Sequence, residues 1–210
     1  QIGSDGSTYD TWTQNESILS PDADAGQRFG HKVKVNDNGD ILAISSKSPG
    51  TAGKVEIFIR SGHSNDDSTT NSFVHAQTLT GAAADGSTFN NEFGLDIAMN
   101  NDGTKLFVSA PGHDKTNQAD AGAVYYYKFN ATDSTNIYTL QQTLEAPDLQ
   151  TNMRFGSSLA VNHAGTRLAI GAERLGNSRE MKFDSGATTF DLQDTSVVDD
   201  NIGSGGVYTA

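Results

Sequence analysis

The chain of 210 residues contains 26 acidic and 14 basic residues, 22 glycines and no cysteine, and its formal net charge is −12. An acidic surface repels nucleic-acid phosphates, the lack of cysteine excludes disulfides and thiolate metal sites, and no apolar run is long enough to cross a bilayer. We therefore expect no nucleic-acid partner and no membrane insertion. The acidic surface serves solubility or, as the alternative, binds cations.

A threefold repeat dominates the sequence. A Phe-Gly pair opens each copy at Phe29, Phe93 and Phe155, with spacings of 64 and 62 residues (93 − 29 and 155 − 93). A turn glycine follows each pair at the same spacings, and these glycines are Gly39, Gly103 and Gly165. A period of this length indicates an array of equivalent supersecondary units.

Each repeat is predicted to contain short strands joined by turns. In chain order, the first has strands at 31–36, 41–45, 54–59 and 73–79, and the second at 95–99, 106–108, 122–129 and 138–144. The third has strands at 157–162 and 167–171, and residues 206–210 resume the pattern after a long interruption. Residues 11–19, upstream of these repeats, resemble a fourth strand of a preceding unit. Asn-Gly and Asp-Gly in the first two turns are typical of β-hairpins.

This pattern predicts an all-β fold, a β-propeller with blades of four antiparallel strands and about three blades of a larger propeller in this chain. The alternatives are a solenoid or a row of separate small sandwiches. The predicted division has the last strand of a preceding blade at 1–26, blade repeat 1 at 27–90 and blade repeat 2 at 91–152. An incomplete blade repeat 3 follows at 153–210, with a long insertion at 174–205 that is expected to form an extra hairpin.

The repeats resemble the FG-GAP family of integrin-α-type β-propeller repeats, in the variant common in marine bacterial and phage surface proteins. The three Phe-Gly pairs match one half of the family signature, and Ser109-Ala110-Pro111 and Gly171-Ala172-Glu173 match the Gly-Ala-Pro half. In that family a long acidic loop between the first two strands often binds Ca²⁺. Here the corresponding turns, such as residues 37–39, are short and hold at most one carboxylate, too few oxygen ligands for Ca²⁺. We therefore expect no cofactor.

The loop after the second strand differs most between the repeats, which is typical of a recognition site on a repeated scaffold. In the second repeat its polar groups form the predicted ligand or partner loop: His113, Asp114, Asn117 and Asp120. Weak candidates for a cation site are Asp114 and Asp120 in this loop, and Asp22 and Asp24 ahead of the first Phe-Gly pair. The alternative for all of them is an ordinary loop or turn role, which is common for Asp.

Known catalytic motifs are absent from the sequence, which has neither a Gly-x-Ser-x-Gly elbow nor a His-Glu-x-x-His metal motif. No catalytic residue is predicted, and the expected function is that of a non-enzymatic propeller segment of a large extracellular, cell-surface or virion protein. It would act in adhesion, receptor binding or assembly, with a protein or glycan receptor or further copies of itself as partner. Two alternatives are a structural repeat of a fibre or tail appendage, and the scaffold of a glycan- or lipid-cleaving enzyme whose centre lies outside this fragment.

Overall fold

The computed structural model describes residues 14, 16–22, 26–47, 52–60, 72–81, 91–133, 136–147, 149–172, 177–183 and 190–192. These described ranges contain strands and turns but no helix, and hence no helix that could cross a membrane.

The strands of the described ranges form three four-stranded sheets. Sheet 1 consists of β1 (Arg28–Val35), β2 (Ile41–Lys47), β3 (Lys54–Arg60) and β4 (Phe73–Thr80). Sheet 2 consists of β5 (Ile97–Met99), β6 (Lys105–Ala110), β7 (Ala123–Phe129) and β8 (Tyr138–Leu144). Sheet 3 consists of β9 (Phe155–Val161), β10 (Arg167–Ala172), β11 (Asn177–Phe183) and β12 (Phe190–Leu192).

Strands that follow each other in the chain pair antiparallel within each sheet. This confirms the predicted all-β architecture with four antiparallel strands to each sheet.

Sheet 3 differs from the sequence prediction in its outer strands. The segment predicted as an insertion, residues 174–205, supplies β11, which pairs with β10, and β12, which pairs with β11. The expected extra hairpin is therefore part of the sheet, because only residues 173–176 separate β10 from β11 and sequential strands joined by a short connection usually pair. The strand predicted at 206–210 lies outside the described residues.

An asparagine organises each turn between the first and second strands. Asn36 Oδ1 accepts the backbone N–H groups of Asp40 at 3.1 Å and Ile41 at 2.9 Å. The side chains of Asn100 and Asn162 accept backbone N–H groups in the same way in sheets 2 and 3. These bonds give the backbone N–H groups of the short turns a side-chain amide oxygen as acceptor.

Two apolar layers hold the three sheets face to face. The layer between sheets 1 and 2 contains Ile57 and Ile97, and the layer between sheets 2 and 3 contains Tyr126 and Leu168. Full burial of one such side chain contributes about 1.5–3 kcal/mol. The first strands lie side by side, since β1 contacts β5 and β5 contacts β9. We call the border formed by β1, β5 and β9 the inner edge.

Candidate functional site

One set of equivalent positions places polar side chains along the inner edge. Lys32, Asp96 and Ser158 follow the repeat spacings of 64 and 62 residues (96 − 32 and 158 − 96). Lys32 lies in β1, Asp96 directly precedes β5 and Ser158 lies in β9. A cation, a carboxylate and a hydroxyl therefore occupy one level of three neighbouring sheets.

Asp96 is the centre of this set. Its Oδ1 lies 3.4 Å from Lys32 Nζ in sheet 1, and its Oδ2 accepts the backbone N–H of Leu159 in sheet 3 at 2.7 Å. Oδ1 also accepts the N–H of Ile97 at 3.0 Å. The carboxylate is 14% exposed and Lys32 is 45% exposed, so Asp96 is fixed from three sides while the cation beside it reaches solvent.

The backbone behind these side chains is held by a second set of equivalent positions. Ser109 Oγ accepts the N–H of Asp96 at 2.8 Å, and Ser45 accepts the corresponding N–H in sheet 1. Gly171 takes the place of this serine in sheet 3. A Cβ added to Gly171 would lie only 2.3 Å from Ser158 Oγ, so the lack of a side chain makes room for the hydroxyl.

An ion network links the three sheets where the Phe-Gly pairs lie. Glu92 Oε1 lies 3.1 Å from Lys47 Nζ of sheet 1, and Glu92 Oε2 accepts a hydrogen bond from Arg154 at the start of sheet 3. Burial alone would raise the pKa of Glu92, but the hydrogen bonds and positive charges of Arg154 and Lys47 outweigh it and hold that pKa below its usual value. Glu92 is therefore a charged connector between the sheets.

The opposite end of the inner edge is formed by linked turns. Asp37 N–H donates to Asn101 O at 2.7 Å, and Asn101 N–H donates to His163 O at 3.1 Å. His163 Nδ1 also lies 3.7 Å from Asp37 Oδ2, which joins sheets 1 and 3 across sheet 2. The polar set around Asp96 thus lies between two cross-linked ends.

The predicted ligand loop is a packed turn. His113 is buried, and its Nδ1 lies 3.2 Å from the Tyr125 hydroxyl. Burial raises the pKa of Tyr125 to about 12, with a further contribution from a neighbouring carboxylate. Asp114 Oδ1 accepts the N–H of Asp120 at 2.8 Å, while Asn117 lies in the left-handed region with φ 64°. These contacts join Asp114 to the backbone of Asp120, while His113 packs inward against Tyr125.

The same loop also joins sheet 2 to sheet 3 through its backbone. Asn152 N–H donates to Ala119 O, Arg154 N–H to Asp120 O, and Phe155 N–H to Ala121 O, at 2.7, 2.9 and 3.0 Å. The loop therefore has a clear structural role, and its role in ligand binding stays a prediction.

The cation candidates are not brought together as one ligand set. Asp22 forms an ion pair with Lys54, whose ammonium competes with any metal ion, and Asp24 lies outside the described residues. Across the described part of the chain, no group of three or more His, Asp or Glu residues is placed to hold a metal ion. Cation binding at Asp22, Asp114 and Asp120 stays a prediction.

A buried carboxylate that the sequence analysis missed lies on the other face of sheet 1. Glu56 is fully buried, with His75 Nε2 at 2.8 Å and Thr78 Oγ1 at 2.6 Å from its Oε2. Lys54 Nζ lies 3.7 Å from Oε1. Glu56 corresponds to Tyr125 of sheet 2, so no periodic signal in the sequence indicated it. By contrast, the polar set around Asp96 follows the Phe-Gly spacing and could have been found from it.

No protein-family model and no curated protein matches this chain. Solved structures do resemble it. One is a candidate 6-phosphogluconolactonase from Bacteroides uniformis, with a TM-score of 0.56 and 16% identity over 87% of this chain and 43% of that chain. A second, from Bacteroides fragilis, has a TM-score of 0.51 and 18% identity over 80% of this chain and 38% of that chain. A third, a periplasmic gluconolactonase from Pseudomonas aeruginosa, has a TM-score of 0.51 and 12% identity over 78% of this chain and 38% of that chain.

These similarities show the β-propeller fold. The matched part of this chain spans only 38–43% of each of the three neighbours. They also correct the expectation of a non-enzymatic adhesion or assembly segment, because all three neighbours bear the names of hydrolytic enzymes. That expectation depended on the absence of known catalytic motifs from the sequence.

Proposed function

We propose that this chain is a segment of a β-propeller hydrolase whose reacting groups lie at the inner edge, around Asp96. The main support for this proposal is that Asp96 is held between Lys32 of sheet 1 and the Leu159 N–H of sheet 3. A fixed carboxylate beside a solvent-accessible ammonium is a suitable pair for activating water and stabilising negative charge.

The proposed substrates are lactones of sugar acids, a class supported by the names of the three structural neighbours. Asp96 accepts a proton from water as the water oxygen bonds to the lactone carbonyl carbon. Lys32 stabilises the negative charge that develops on the carbonyl oxygen. The ring C–O bond then breaks, the ring oxygen takes the proton back from Asp96, and the product is the open-chain hydroxy acid.

We further propose that the blades are of the FG-GAP type. The support is the Phe-Gly pair at the same position in three successive sheets, together with the Ser109-Ala110-Pro111 and Gly171-Ala172-Glu173 segments. The short asparagine-organised turns replace the acidic loop of that family, so this proposal includes no calcium site.

The test is lactone hydrolysis followed by acid release in a pH-stat, with glucono-δ-lactone and 6-phosphoglucono-δ-lactone as substrates. The chain should hydrolyse at least one of them faster than buffer, and Asp96→Asn should lower kcat/KM about 100-fold or more. Asp102→Asn, in the β5–β6 turn, removes a carboxylate that does not contact Asp96 or Lys32, so it is the matched control and should keep the wild-type rate. A wild-type rate equal to that of buffer for both lactones would refute the proposal.

A further inference from the structure

The inner half of one face of sheet 1 is open to solvent. Val33 and Val35 of β1 are 53% and 54% exposed, although valine is an apolar residue that favours burial. Their equivalents in sheet 2 are Ile97 and Met99, and Ile97 is fully buried against sheet 1. The valines therefore occupy positions that a neighbouring sheet covers elsewhere in the same molecule.

The rest of this face, including the Phe29 end of β1, is already covered. Ile18, Phe29 and Phe73 pack there on the buried side chains of Ile44 and Phe58. The open area is thus confined to β1, next to the inner edge. We call this area, defined by Val33 and Val35, the leading face.

The opposite end of the array has a matching open area in β9 and β10. Ala160 and Ala169, which pair with each other, are exposed there. Their equivalents in sheet 2 are Ala98 and Phe107, which are buried against sheet 3. We call the area defined by Ala160 and Ala169 the trailing face.

We propose that the leading face of one molecule binds the trailing face of a second copy of this chain, and that two copies close a ring head to tail. The two junctions inside the chain already join a leading-type surface to a trailing-type surface, so the new contact continues an established interface. Small side chains at Ala160 and Ala169 leave room for the branched side chains of Val33 and Val35.

The size of related propellers supports two copies. The match with the Bacteroides fragilis structure covers 80% of this chain and 38% of that chain. The match with the Bacteroides uniformis structure covers 87% of this chain and 43% of that chain. Two copies therefore approach the length of one such propeller. A head-to-tail contact closes a ring when its rotation fits, and it builds an open filament when the rotation does not fit. This inference does not depend on the proposed lactonase activity.

The first experiment measures mass by sedimentation velocity and light scattering over a range of protein concentrations. The wild-type chain should form a dimer, and Val33→Lys with Val35→Lys should weaken it by about two orders of magnitude, because ammonium groups would be buried in an apolar contact. Val74→Lys is the matched control, since Val74 is 64% exposed but lies on the outer strand β4. The milder pair Val33→Thr and Val35→Thr repeats the test if the lysines prevent folding.

A second experiment tests the head-to-tail orientation. Ala169→Lys should also give a monomer, because it places a charge on the trailing face. An equimolar mixture of this variant with the double valine variant should regain a dimer weaker than that of the wild type, since one junction joins two unmodified faces while the other carries lysines on both faces. A contact between two identical faces would give no such rescue, and that result would overturn the proposal.

Three further results would contradict the proposal. A wild-type chain that stays monomeric at every concentration would show that something other than a second copy covers the leading face. Open filaments would exclude closure by two copies. A dimer that persists with both valines replaced by lysine would place the contact elsewhere.

Discussion

The backbone carbonyl of Phe93 lies directly over Gly53 of the preceding sheet. A Cβ added to Gly53 would lie 1.9 Å from Phe93 O, and a Cβ added to Gly122 would lie 2.2 Å from Phe155 O. Both junctions between consecutive sheets are thus built in the same way, with the backbone of a Phe-Gly pair packed on the glycine that precedes the third strand of the sheet before it. This contact gives a physical reason for the presence of both the Phe-Gly pair and the glycine before the third strand in the repeat.

Gly53→Ala should destabilise the protein by about 2–4 kcal/mol, because the new methyl group collides with a backbone atom that the sheet holds in place. Chemical denaturation measures the free energy of unfolding. Gly26→Ala is the control, since a Cβ there has nothing within 4 Å although φ is +93°. It should cost only the backbone strain, about 1–2 kcal/mol. Equal losses for both variants would show that the contact with Phe93 is unimportant.

Glu92→Gln should reduce stability mainly above pH 4. Because the pKa of Glu92 is depressed in the folded chain, its stabilising effect is complete above the unfolded-state value of about 4.3. The effect is lost as the pH falls through the lower folded-state pKa. We expect a loss of about 1–3 kcal/mol at pH 7, and a difference from wild type that shrinks towards pH 3.

Urea denaturation at several pH values measures this dependence. Glu145→Gln is the matched control. Among the described residues, Glu145 forms one ion pair, with the partly exposed side chain of Lys115. It should change stability by less than about 1 kcal/mol. A Glu92→Gln deficit that stays constant from pH 7 to pH 3 would contradict the assigned role of the carboxylate.

Asn100→Ala should cost about 1–2 kcal/mol of folding free energy. Its Oδ1 accepts the N–H of Lys105 at 2.8 Å, and its amide donates to Asp102 and Thr104. Thermal unfolding followed by circular dichroism measures the loss. Asn38→Ala, at an exposed turn position, should leave the melting temperature within experimental error, and an equally large effect there would argue against the specific role of Asn100.

A chelator such as EDTA should leave the melting temperature nearly unchanged. The asparagine side chains already satisfy the backbone of the short turns, and in the described ranges no cluster of acidic and histidine side chains fits a metal ion. Differential scanning fluorimetry with and without EDTA, and with added Ca²⁺, provides the measurement. A fall of many degrees with EDTA, reversed by added Ca²⁺, would show that a bound cation stabilises the chain and would contradict this prediction.

The comparison of sheets 1 and 3 shows how far sequence patterns predicted the fold. Strands β2, β3 and β4 lie close to their predicted positions because alternating apolar residues and turn glycines mark them. Where strands β11 and β12 lie, the sequence predicts an insertion instead, because the third repeat is polar and irregular there. Pairing with β10 decided their place, and pairing is not visible in one strand alone.

For the candidate site residues as well, some properties are visible in the sequence and others depend on the fold. The variability of the loop at His113 is a sequence property, but the buried contact with Tyr125 depends on how sheet 2 folds. The candidate site around Asp96 needs partners from sheets 1 and 3, residues that lie more than sixty positions away in the chain (96 − 32 and 159 − 96). The spacing of Lys32, Asp96 and Ser158 was present in the sequence, while the distances were not.

The repeat, the hairpin turns and the strand content of this protein are readable from the order of its residues, because they depend on local alternation and on glycine and asparagine backbone preferences. The folded arrangement of the sheets sets which charges meet, which apolar faces are covered and which remain open. Those properties depend on the packing of one sheet against the next, and packing brings together groups that no local pattern connects.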